Sequence, residues 1–142
     1  MIPRINVVTL AVSDLEHAVE FYRDGLGFPS RGILGAEFKG DEYQAAGAVG
    51  FFELQGGLIL ALYPRTELAK DAKLRAGAPN PLEVSLGVLV ESREAVDRYL
   101  QKAAASGATI SDKPHDRPWG GYSGYFQDPD GHLWEIIWNP EA

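Results

Sequence analysis

Gly124-Tyr-Phe-Gln-Asp-Pro-Asp-Gly-His-Leu-Trp-Glu-Ile-Ile-Trp-Asn-Pro140 is the stretch that decides how this chain is read. Two runs rich in aromatic and β-branched residues, Tyr122 to Gln127 and His132 to Trp138, flank Asp128-Pro129-Asp130-Gly131. Proline presets φ at the second turn position and glycine accepts a positive φ, so the stretch predicts a tight β-hairpin. Pairing Gln127 with His132 sets Tyr125 opposite Trp134 and Gly124 opposite Glu135. Side chains alternate along a strand, which assigns Tyr122, Leu133, Glu135 and Ile137 to one face. Tyr125, Trp134, Ile136 and Trp138 fall on the other, an apolar surface suited to a covering helix. The first face carries a single carboxylate, Glu135, among apolar neighbours, and that asymmetry is the first sign of a site.

Outward from the hairpin, the same order of elements occurs twice. Ile5 to Val12 predicts a strand. Ser13-Asp14-Leu15-Glu16 reads as a capping box with Ser13 at the cap, and Leu15, Ala18, Val19 and Tyr22 recur at helical spacing. Gly25-Leu26-Gly27 stops that helix. A short strand follows within Phe28 to Phe38, then a second hairpin, Val49 to Leu54 and Leu58 to Tyr63, around Gln55-Gly56-Gly57. Thr66 to Ala76 predicts a short helix closed by Gly77, and Ala78-Pro-Asn-Pro81 is a linker. Leu82 to Val90 then predicts a strand, Ser92 caps a helix with Ala95, Val96, Tyr99, Leu100 and Ala103 on its stripe, and Ala108 to Ser111 predicts another strand. Asp112 to Gly121 reads as a polar loop into the final hairpin. Gly57-Leu-Ile-Leu-Ala-Leu matches Gly131-His-Leu-Trp-Glu-Ile position by position, so an internal duplication of a βαβββ unit is expected.

Composition sets outer bounds. The 142 residues suffice for one compact domain, and 45% hydrophobic against 23% charged residues exclude a disordered chain. A formal net charge of −7 speaks against nucleic acid and anionic membrane surfaces as partners. The absence of cysteine excludes disulfides, a cysteine nucleophile and thiolate metal sites. No long apolar run and no signal-peptide pattern is apparent, so a cytoplasmic location is expected. Ser-His-Asp order, P-loop and dinucleotide fingerprint are all missing.

Val12-Ser-Asp-Leu-x-x-Ala-Val-x-Phe-Tyr-x-x-x-Leu-Gly-Phe28, together with Asp128-Pro-Asp-Gly-His-x-Trp-Glu135, resembles the vicinal-oxygen-chelate superfamily. That superfamily includes glyoxalase I, bleomycin-resistance proteins, fosfomycin-resistance enzymes and extradiol dioxygenases. The resemblance covers essentially the whole chain. It implies an α+β fold of two βαβββ modules, about residues 1–64 and 82–142 joined through 65–81, forming one domain. Their mixed sheets would form a cup around a central cavity, with helices on the outer face. It also implies a homodimer and, in metal-dependent members, His or Glu ligands on the first and last strands of each module. By register those positions fall here at Val7, Ala61, Ser85 and Glu135. Valine and alanine offer no lone pair and serine is a poor ligand for a divalent ion, so no metal cofactor is expected.

Strand alternation groups Thr9 with Val7, Tyr63 with Ala61, and Gly87 and Leu89 with Ser85, each facing the cavity. Trp119, beside Gly120-Gly121 on the loop leading to the hairpin, is a candidate to stack on a flat ligand. The ligand-binding candidates are therefore Thr9, Tyr63, Ser85, Trp119, Tyr122 and Glu135, with Glu135 also the candidate general base, since burial among apolar neighbours would raise its pKa. His17 and His115 read as surface residues and His132 as part of the turn. The expected function is sequestration of a small aromatic molecule of the bleomycin-resistance type. The alternative is a glyoxalase-like or dioxygenase-like lyase or oxidoreductase that uses Glu135 with a divalent metal or as a base.

Overall fold

The computed structural model describes residues 3–78, 80 and 84–141. Pro79 and Pro81 of the expected linker, and Leu82 at the expected start of a strand, lie outside the described residues. The chain divides into two compact units, Met1–Ala78 and Pro79–Ala142. The described residues form an α+β fold, with two four-stranded mixed sheets and three α-helices.

The first unit contains β1 (Val7–Val12), α1 (Leu15–Glu20), β2 (Ser30–Leu34), β3 (Val49–Glu53), β4 (Ile59–Pro64) and α2 (Arg65–Asp71). Its sheet runs β1-β4-β3-β2, with β1 parallel to β4 and the other pairs antiparallel. Period-2 alternation decides what is buried: Leu10, Val12, Leu60, Leu62 and Phe52 form a core with Ala18 and Val19 of α1. Tyr22, fully buried, packs its ring against Phe21, Phe28 and Phe52.

Two helix ends differ from the sequence reading. The α1 cap is Asp14, whose carboxylate accepts the His17 N–H at 3.1 Å. A carboxylate at a helix N-terminus also meets the positive end of the helix dipole. The Ser13 hydroxyl instead accepts from Arg65, which also donates to the Ala11 carbonyl. α2 stops at Asp71 and not near Gly77, because Lys73 takes a left-handed conformation (φ 61°) and the Leu74 N–H returns to the Ala69 carbonyl at 2.9 Å. That 6→1 closure is the Schellman ending, made here without glycine.

The second unit contains β5 (Ser85–Leu89), α3 (Arg93–Ala105), β6 (Thr109–Asp116), β7 (Tyr122–Gln127) and β8 (Leu133–Trp138), with sheet order β5-β8-β7-β6. Ser92 caps α3, accepting the Ala95 N–H at 3.0 Å. Ala95, Val96, Leu100 and Ala103 are buried, as are Phe126, Trp134 and Ile136 of the sheet. The Phe126 and Trp134 rings stack at 6.0 Å. β6 continues to Asp116 across residues that read as loop from the sequence. None of the described helices is long and apolar enough to cross a membrane.

The final hairpin forms, with a register one residue away from expectation. The Asp128 N–H donates to the His132 carbonyl, and the Gly131 N–H to the Asp128 carbonyl, both at 2.9 Å. Asp128 therefore pairs with His132 around a three-residue loop, Pro129-Asp130-Gly131. A turn of this hand splays the strands unless a left-handed residue follows it, and Gly131, at φ 87°, supplies that bulge. The consequence is Gln127 opposite Leu133 and Tyr125 opposite Glu135.

Candidate functional site

This register decides which side chains meet Glu135. Across the second sheet, Asp112 of β6, Tyr125 of β7, Glu135 of β8 and Gly87 of β5 lie in one row. The next row holds His115, Ser123, Ile137 and Leu89. Asp112 and His115 would alternate to opposite faces in a regular strand. Irregularities in the β6–β7 pairing between Ile110 and Asp112, and again between Asp112 and His115, bring both to the Glu135 side.

The polar groups on this face form one connected network. The Ser123 hydroxyl, fully buried, donates to Glu135 Oε2 at 2.9 Å. Arg117 Nε donates to that same hydroxyl at 2.7 Å, and Arg117 also donates to the Ser123 carbonyl at 3.1 Å and to Asp112 at 3.0 Å. The guanidinium lies 5.8 Å from the centre of the Tyr125 ring. Asp112 also faces His115 Nε2 at 3.0 Å; the His115 contact first, then Arg117, lowers its pKa below the usual carboxylate range. Burial, followed by the charge and hydrogen bond of Glu135, raises the pKa of the Tyr125 hydroxyl. Leu89, 63% exposed, adds apolar surface in the open.

Ser85 starts β5 opposite Leu133, in the row beyond Glu135. Tyr122 does not share the face of Glu135, a correction that follows from the one-residue register change. It pairs with Trp138, donates its hydroxyl to Asp97 of α3 at 2.8 Å, and sits under the Arg93 guanidinium. Tyr125, assigned from the sequence to the helix-facing set, takes the place beside Glu135. Trp119 is 53% exposed and its ring lies against Gly121, where a side chain would collide with it. In the first unit, Val7 and Thr9 pair with Ile59 and Ala61, and Ala61 with Phe51 of β3. Tyr63 donates its hydroxyl to the Ala46 carbonyl and so pins the loop before β3; burial, followed by Asp71 and Glu67, raises its pKa.

Sequence reading missed Arg117, Ser123, Tyr125 and Asp112. The duplication held the signal: matched against the second module, Val49, Phe51 and Ala61 of the first stand where Ser123, Tyr125 and Glu135 stand. At these three positions the hydrogen-bonding groups thus stand in the second module only.

The four positions that the resemblance assigns to metal ligands do not fit a divalent ion. Val7 and Ala61 have no donor atom, Ser85 offers one neutral hydroxyl, and an oxygen of Glu135 already accepts from Ser123. Among the described residues no three histidine or carboxylate side chains stand together as a ligand set. A shallow groove of about 330 Å³ at the end of β5 and β8 is lined by Leu89, Val90, Glu91, Trp138, Asn139 and Pro140, and holds none of the network.

Comparison with known proteins agrees with this architecture. The sequence matches the Glyoxalase/Bleomycin resistance protein/Dioxygenase superfamily over residues 4–136. It is 28% identical over 130 residues to the uncharacterized protein YraH of Bacillus subtilis (strain 168), covering 91% of this chain and 93% of that one. The fold is similar to the crystal structure of a glyoxalase-related enzyme from Fulvimarina pelagi, with TM-score 0.80 and 27% identity over 98% of this chain and 90% of that one. It is similar also to a glyoxalase/bleomycin resistance protein/dioxygenase from Nocardioides, with TM-score 0.73 and 28% identity over 96% and 83% of the two chains. With the duplicated βαβββ order and both signature motifs in place, the chain belongs to the glyoxalase/bleomycin resistance/dioxygenase, or vicinal-oxygen-chelate, superfamily.

Proposed function

We propose that this protein binds a small aromatic molecule on the Glu135 face of its second sheet, without a catalytic metal, and sequesters it. The observation that carries the reading is the composition of that face. Tyr125, Leu133, Ile137 and Leu89 surround one carboxylate whose orientation is set by Ser123. Apolar surface with a few placed polar groups is what a small-molecule site requires. A homodimer belongs to the same proposal, supported by sheets that each end in two edge strands.

A thermal-shift screen with planar aromatic compounds tests the reading, since a ligand that binds only the folded state raises its melting temperature. Glu135→Gln and Trp119→Ala are each expected to weaken the hits by about tenfold, or about 1.4 kcal/mol. Hits that bind both variants as tightly as the wild type would place the ligand elsewhere. The alternative, an enzyme with Glu135 as general base, is supported by the likeness to a glyoxalase-related enzyme. Release of a chemically changed hit after incubation would favour it.

A further inference from the structure

Gly87 is the residue of β5 that the strand itself does not explain. Glycine in a strand interior weakens it, and marks a bulge, a bend or a close approach by something else. β5 pairs with β8 without interruption from Ser85 and Leu133 to Leu89 and Ile137, so no bulge is present. Its φ lies outside the left-handed region, and a Cβ at this position would touch only Ile137 Cδ1, at 3.4 Å. Neither backbone nor packing demands glycine here. What it does is leave the place beside Glu135 without a side chain, because Gly87 is the ladder partner of Glu135. Tyr125 stands on the opposite flank. The carboxylate is thus screened on one side and open on the other.

The polarity of that carboxylate is fixed by its supports. Arginine has no acceptor, so Arg117 Nε must donate to the Ser123 hydroxyl, and the single proton of Ser123 must go on to Glu135. The donors run one way, from Arg117 through Ser123, and Glu135 ends the series as an acceptor. A carboxylate has about four lone-pair sites, and with Ser123 and the Tyr125 hydroxyl as donors capacity remains for a further one. The guanidinium, meanwhile, is engaged by Asp112 and by the Ser123 carbonyl.

We infer that the open flank at Gly87 seats a cationic nitrogen of the aromatic ligand, a protonated amine or amidine that donates to Glu135, with Ser123 and Arg117 as positioning residues. The inference rests on the binding reading above and adds the ligand's charge and its side of approach. Hydrogen bonds between ionised partners are about twice as strong as neutral ones, so charge should dominate selection.

Fluorescence titration with two tricyclic probes matched in shape tests it: aminoacridine, a cation at neutral pH, and anthracene carboxylate, an anion. The cation is expected to bind the wild-type chain at least about tenfold tighter than the anion. Gly87→Val, with its fold checked by melting temperature, is expected to lose about tenfold or more of the cation's affinity. Ser123→Ala should reduce the preference for the cation and Ser123→Thr, which keeps the hydroxyl, should retain it. Should Ser123→Ala fail to fold, Glu135→Gln, close in shape to the native side chain, is expected to bring the two probes within about threefold of each other. Equal binding by the wild type, a preference for the carboxylate, or undiminished cation binding by Gly87→Val would overturn the inference while leaving aromatic binding intact. Failure of both probes to bind would overturn the binding reading, and this inference with it.

Discussion

Replacing Gly124 by valine is expected to unfold the second unit. Gly124 lies in the middle of β7 and turns its α-carbon toward α3. A Cβ there would stand 2.6 Å from Leu100 Cδ1, 2.9 Å from the Asp112 carbonyl oxygen and 2.9 Å from the Pro114 nitrogen. The leucine could turn aside, but the two backbone atoms belong to β6 and cannot move without breaking its pairing. Even Gly124→Ala should cost about 3 kcal/mol, the upper range for overpacking a core, and valine adds two methyl groups to the same conflict. Gly50, its counterpart in the first module, gives the control. A Cβ at Gly50 meets only side chains, Val19 Cγ2 at 2.7 Å first among them, so Gly50→Ala should cost about 1 kcal/mol. Urea denaturation of the two alanine variants measures the difference. Equal midpoints would show that the β6 backbone does not crowd Gly124 as described.

The second large effect is expected from Asp128→Ala. The Asp128 side chain is 1% exposed. One carboxylate oxygen accepts the Asp130 and His132 N–H groups, at 2.9 and 2.8 Å, and the other meets His132 Nδ1 at 2.7 Å. Truncation removes all three contacts and leaves two turn N–H groups without this acceptor. Hydrogen bonds to a charged group are worth about 1.5–3 kcal/mol each in net terms, and with water replacing part of the loss a cost of about 3 kcal/mol is expected. Asp128→Asn keeps one oxygen acceptor and should cost less. Because the turn sets the register that places Tyr125 and Ser123 beside Glu135, Asp128→Ala should also weaken aromatic binding. An Asp128→Ala protein as stable as the wild type would remove the turn from its role in setting the register.

How much of this was legible in the sequence depended on the rule each feature obeys. Element order, α1 and α3 with their apolar stripes, and the duplicated module follow from periodicity, and periodicity is local. Leu10, Val12, Leu60 and Leu62 are buried as alternation requires. The site was less legible because it depends on single-residue shifts. One left-handed glycine after Pro129-Asp130 moved β7 against β8 by one place, which set Tyr125 in place of Gly124 opposite Glu135 and took Tyr122 off that face. Two irregularities turned Asp112 and His115, read from the sequence as loop, onto one face of β6. Arg117 lies beyond the strand end, where no period applies. Its turn has the same build as that of Asp128: Arg117 N–H to the Gly121 carbonyl, Gly120 N–H to the Arg117 carbonyl, and a left-handed Gly120 at φ 102°. The shared pattern Xaa-Pro-Xaa-Gly at Arg117 and Asp128 was visible in the sequence, and reading both as three-residue turns would have recovered the register of β7 from either end.

On the proposed reading, Glu135 serves an organic ligand directly and not through a metal ion. Calorimetric titration of an aromatic hit into wild-type protein, first after dialysis against a chelator and then after addition of Zn²⁺, Ni²⁺, Mn²⁺ or Fe²⁺, separates the two cases. The same affinity is expected in every case, and an affinity about tenfold weaker in Glu135→Gln. Binding that vanishes with the chelator and returns with one equivalent of ion per chain would contradict that reading.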